Sequence, residues 1–150
     1  MRIGDFILQP RGIRLIDVWK HRLGGATPIG DFGFECIVDM DDKPDEGMVE
    51  GIASVFDFVL RHPDRVLAAL HEHYQGFSRD VEWMAFCGVP LGLAPSDLMT
   101  FVRWRSVSAS KHCRASRLIR EHYIHISPAW DSEHDIFWGV DRDSLAPLDS

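Results

Sequence analysis

The sequence predicts an α+β fold: a mostly antiparallel sheet of about five strands, with two central helices packed on one face. Three observations carry this. Residues 32–38, "FGFECIV", put Phe32, Phe34, Cys36 and Val38 on one side and Gly33, Glu35 and Ile37 on the other, which is a strand with one strongly apolar face. Residues 47–76 carry two successive stretches of helical periodicity. The strand-like segments lie before and after that helical pair, an order that suggests α+β rather than alternating units.

Taken in order, "IRLIDVW" (13–19) is an early strand with apolar residues on both faces, and "GGATPIG" (24–30) is a turn or loop. After the strand at 32–38, "DMDDKPDEG" (39–47) is an acidic turn. Met48, Ile52, Val55, Phe56 and Val59 then mark the first helix. In the second, Pro63 suits the opening turn, Val66, Leu67, Leu70 and Tyr74 form the stripe, and Gly76 is a stop. Residues 85–97, rich in Gly and Pro, read as loop. Strands follow at 98–110, 118–127 and 135–141, and the last residues show no periodicity.

The 150 residues are read as a single domain, long enough to bury a core without staples. No apolar run approaches a membrane span, and the N-terminus does not read as a signal peptide. Cys36, Cys87 and Cys113 are far apart and form no CxxC pair, so neither a disulfide framework nor a zinc knuckle is expected. These features place the protein in the cytoplasm. The net charge is −7, divided as −5 over residues 1–60, +3 over 61–130 and −5 over 131–150. An acidic surface repels phosphate backbones and favours basic protein partners, so direct nucleic-acid binding is not expected.

Several constellations fail on spacing. "HEHYQ" (71–75) lacks the second His at i+4 that a helical zinc site needs, and reads as solvated helix surface. The 39–46 turn places Lys43 and Pro44 where a calcium loop needs a ligand and a glycine. There is no nucleophile elbow, phosphate-binding loop or dinucleotide fingerprint, and no cofactor or metal is expected. Arg103, Arg105, Lys111, Arg114, Arg117 and Arg120 occupy 103–120 without an acid among them. They read as a hairpin with a basic outer face and a small polar tip, or as a site for RNA or an acidic partner.

The stretch "SPAWDSEHDIFWGV" (127–140) holds the densest chemistry. In a strand, Asp131, Glu133 and Asp135 would share a face, with His134 on the other and His122 or His125 near enough to complete a cation site. In a turn, Asp131 would cap backbone N–H groups while Trp130 plugs the core. Trp19 and Trp138 are either core or aromatic anchors for a partner.

Trp130-Asp131-Ser132-Glu133-His134 resembles the Trp-Asp-x-Glu-His-Gly signature near the C-terminus of small bacterial domains of uncharacterised function. Their layout is similar: an early strand region, a helical pair, then this signature before a final strand. Where they have glycine after the histidine, this chain has Asp135. Such domains are similar to immunity proteins encoded beside polymorphic toxins, and the resemblance implies a protein that binds and blocks a cognate toxin. On that reading the partner has a basic surface, and the contact patches are Asp39, Asp41, Asp42, Asp45 and Glu46 with Asp131, Glu133, Asp135, Asp141 and Asp143. Trp130, Asp131, Glu133 and His134 either support the fold or touch the partner. The alternative is a metal-dependent hydrolase or nucleotide-processing enzyme using Asp131, Glu133 and His134.

Overall fold

The computed structural model describes residues 1–12 and 14–148. A 3-10 turn (Ile3–Asp5) leads into β1 (Phe6–Leu8), β2 (Ile16–His21), β3 (Gly25–Thr27) and β4 (Gly30–Asp39). Helices α1 (Glu46–Arg61), α2 (Pro63–Phe77) and α3 (Val81–Cys87) follow, then a second 3-10 turn (Pro95–Phe101). The chain finishes with β5 (Val102–Arg114), β6 (Arg117–Pro128), β7 (Ile136–Asp141) and β8 (Ser144–Pro147).

The strands form one sheet in the order β1-β2-β4-β5-β6-β7-β8, with β3 folded back on β4. Only β4 and β5 run parallel; every other pair is antiparallel. The parallel pair follows from the connection, because a crossover containing three helices returns the chain to the same end of the sheet. The fold is thus α+β and mostly antiparallel, as the pattern predicts. Among the described residues the expected five strands become eight, and the expected two helices become three α-helices with two 3-10 turns. Strands β1, β3 and β8 are only three or four residues long, too short for an alternation to show. Helix α3 covers part of the expected 85–97 loop, and α2 runs through Gly76 to Phe77. In the early strand expected at 13–19, β2 starts at Ile16, and Ile13 lies outside the described residues.

Helix α1 lies across the middle of the sheet, against β4, β5, β6 and β7. Its Met48, Val49, Ile52, Val55, Phe58 and Val59 are buried, facing Phe34, Cys36, Val38, Val107, Ala109, Ile124 and Ile126 from the strands. Each fully buried Ile or Leu side chain of this layer stabilises the fold by roughly 1.5–3 kcal/mol over an exposed one. The approach is close at Gly51, where a Cβ would lie 2.0 Å from Cδ2 of His122 on β6. Asp45 caps α1 by accepting from the Met48 N–H at 3.1 Å, and Pro63 opens α2. Among the described residues no helix packs on the other face of the sheet. No helix among the described residues is long and apolar enough to cross a membrane.

Candidate partner-binding surface

The stretch 129–135 is a turn between β6 and β7, not a strand. Its geometry follows from Trp130 and Asp131. The Trp130 side chain is fully buried. Its Nε1–H donates to His73 Nδ1 at 2.9 Å, and its ring meets Tyr74 edge to face at 5.4 Å. Asp131, 8% exposed, accepts from the backbone N–H of Glu133 at 3.3 Å and of His134 at 3.2 Å. Ser132, Glu133 and His134 are thereby held outward, in solvent. The "HEHYQ" histidines are not solvated surface. His71 bonds the Leu93 carbonyl at 2.9 Å, and His73 receives Trp130. Burial lowers the His73 pKa, with Asp131 pulling it partly back.

Helix α3 stands beside this turn. Asp80 caps it by accepting from the Trp83 N–H at 3.0 Å, and Gly88 ends it at φ 71°. The Trp83 Nε1–H donates to the Trp130 carbonyl at 2.7 Å, tying the helix to the turn. Phe86 stacks obliquely on Trp83, 5.7 Å between centroids, and is 79% exposed; Val81 is 60% exposed. A shallow groove of about 430 Å³ runs between the helix and the turn, lined by Gly76, Phe77, Asp80, Trp83, Asp131, Glu133 and His134. Glu82 extends the acidic rim. Exposed apolar side chains rimmed by polar groups are the kind of surface on which proteins dock. Sequence reasoning missed Trp83 and Phe86, because a seven-residue helix with one fully buried side chain, Met84, carries too short a stripe.

The two acidic patches lie apart. Asp39 accepts from the Cys113 N–H at 2.9 Å, near the β5–β6 hairpin tip, whereas Asp131 sits at the base of that hairpin. Ten residues of strand between Arg103 and Cys113 span about 33 Å. Asp41 pairs with Arg11, and Asp42 with Lys111 at 3.4 Å. Asp45 receives Lys111 at 3.3 Å and Arg120 at 2.8 Å. The Arg120 guanidinium holds the Asp45 carboxyl well below the usual carboxylate range. Four of the five acids in this turn are therefore occupied within the fold, and Glu46 alone, in the first turn of α1, stands clear. Asp141 and Asp143 are exposed at the β7–β8 turn, where the Asp143 carbonyl accepts from Arg65 at 2.6 Å. Trp138 is core at 7% exposure, and Trp19 is partly buried with a buried Nε1 that has no partner among the described residues.

Asp135 belongs to the open face of the sheet, where its carboxylate meets His125 Nε2 at 2.6 Å. Burial pushes its pKa up, but the bonds from His125 and Ser127 and the charge of Arg105 outweigh this and hold it low. Its φ is not positive, so the place of the signature glycine makes no demand for one. His122 faces α1 and His125 the opposite side of β6, so they do not converge. Among the described residues no three His, Cys, Asp or Glu side chains group to hold a metal. No family model matches the chain, and no curated protein or solved structure matches it.

Proposed function

We propose that this protein is an immunity-type binding module, which neutralises a cognate toxin or effector with a basic surface by covering its active site. The contact face is α3 with the adjoining turn: Phe86 and Val81 as apolar anchors, rimmed by Asp80, Glu82 and Glu133. The observation that carries the reading is Phe86, a large aromatic left 79% exposed on a helix whose neighbour Trp83 is fixed by a 2.7 Å bond. Rigid aromatic groups in such a setting are the usual source of binding energy. The −7 net charge supports a basic partner, chiefly through association rate. The acidic 39–46 turn is assigned to the fold instead, since Asp41, Asp42 and Asp45 already have cations and Asp39 a backbone N–H.

The test is capture of the partner from the native host with the tagged protein, followed by assays on the purified pair. The intact protein should inhibit the partner's activity at one-to-one stoichiometry. Phe86→Ala should weaken binding at least tenfold with Tm unchanged, the level expected for a central aromatic contact. A partner that binds without losing activity, or binding indifferent to Phe86→Ala, Glu82→Ala and Glu133→Ala, would overturn the proposal.

A further inference from the structure

The face of the sheet opposite the helices carries a second site, unrelated to the α3 surface. A cleft of about 230 Å³ opens there, lined by Lys20, Glu35, Arg103, Trp104, Arg105 and His125. The register accounts for the gathering. Trp104 pairs with Ile126, but Ser106 pairs with His125, so Arg105 is the extra residue of a β-bulge. Bulges re-aim side chains, and this one places Arg103 and Arg105 together at the cleft. In the middle of that face Gly33 lies opposite Ser106 and Ser106 opposite His125, so small side chains leave room between the long ones.

The charges are asymmetric. Glu35 is matched by Lys20 at 3.6 Å, and Asp135 is bound to His125 at 2.6 Å. Arg103 and Arg105 have no carboxylate within 4.0 Å among the described residues. Arg103 and Arg105, the latter also acting on Asp135 through its charge, lie beside the Lys20 ammonium and make a cation-rich cleft in a chain of net charge −7. His125 is fixed as well as positioned, because its ring stacks on Phe137 at 4.5 Å and 18° while Asp135 holds Nε2.

We infer that this cleft binds the phosphoryl group of a small phosphate monoester, with Arg103 and Arg105 clasping its oxygens and Lys20 adding charge. Two guanidinium forks and an ammonium can engage all three oxygens of a phosphoryl group, one more than a carboxylate presents, and match its higher charge. The volume admits the phosphoryl group and a small organic part. A long polyanion is disfavoured, since beyond the cleft it would meet a net negative surface.

The experiment is an NMR titration of the full chain with phenyl phosphate, following the His125 ring and the Arg103 and Arg105 Nε–H signals. Saturable shifts confined to the cleft are expected. Arg103→Gln with Arg105→Gln should raise Kd at least tenfold, and Lys20→Gln, which keeps both arginines, a few-fold. Arg114→Gln, near the hairpin tip, should leave Kd unchanged. Phenyl sulfate, of the same shape but lower charge, should bind several-fold more weakly. Shifts that never saturate, or that survive the double substitution, overturn the inference. Tighter, arginine-dependent binding of a ten-residue oligothymidylate overturns it too, in favour of a nucleic-acid surface.

Discussion

Trp130 and His73 form one unit: an indole N–H with no access to water, and the imidazole nitrogen that accepts it at 2.9 Å. Nδ1 can accept only while it carries no proton. The folded protein therefore holds His73 neutral, with a pKa below its ordinary 6.5. In the unfolded chain the same group takes up a proton as pH falls through 6.5. Stability from this group is thus present above pH 6.5 and is lost as pH falls from there toward the folded value. Thermal unfolding between pH 8 and 5 should show Tm declining below 6.5, and His73→Gln should remove that slope. Trp130→Phe should cost about 1–3 kcal/mol by leaving the nitrogen unsatisfied, measured by urea unfolding. Asp131 works at the same scale. Its two backbone bonds decide that Glu133 and His134 point outward, so the acid that draws attention in the sequence is a brace and its neighbours are the exposed groups.

At the level of elements, two devices shape the sheet and its cover. The β5–β6 hairpin turns at Ala115–Ser116, both at positive φ (50° and 62°), and β7–β8 turns at Arg142–Asp143 (49° and 61°). Two successive positive φ values suit Asn-Gly, not these residues. Ala115→Asn with Ser116→Gly should raise stability by about 1 kcal/mol, read as a higher urea midpoint at constant slope. The second device is the close seat of α1 on β6 at Gly51. Gly51→Ala drives a methyl into the His122 ring and should cost about 1–3 kcal/mol. His122→Ala in the same chain should recover most of that loss, and a double-mutant cycle would report the coupling. The hairpin with a small polar tip was legible in 103–120. Its faces were not: Lys111 and Arg120 turn toward the acidic loop, while Arg103 and Arg105 reach the open face.

Over the whole molecule, charge is sorted by neighbours that sequence does not reveal. The 39–46 turn and the 131–135 turn both read as acidic patches, yet three carboxylates of the first are paired with Arg11, Lys111 and Arg120 from distant segments. Substitutions should separate the two. Asp45→Ala removes a helix cap, strips Arg120 of its partner and leaves Lys111 with Asp42 alone; it should lower stability by at least about 1 kcal/mol while leaving partner binding at wild-type affinity. Phe86→Ala should do the reverse. Paired calorimetry and binding measurements on these two variants decide between a turn that holds the fold and a turn that docks.

The sequence by itself determined what depends on near neighbours. The apolar alternation of β4, the stripes of α1 and α2, the Pro63 start and the antiparallel hairpin are all properties of a few consecutive residues, and each is visible as a period or a turn. Elements too short to show a period, β1, β3, β8 and α3, were decided only when the sheet or the core gave them something to pair with. The same holds for the sites. That Trp83 and Phe86 join the Trp130 turn, that Arg103 and Arg105 share a cleft with Lys20, and that Asp45 is spent on Arg120 all require residues 40 to 85 positions apart to meet. Hydrogen bonds and ion pairs act over a few ångströms of space, and distance along the chain does not measure that; only the tertiary structure does.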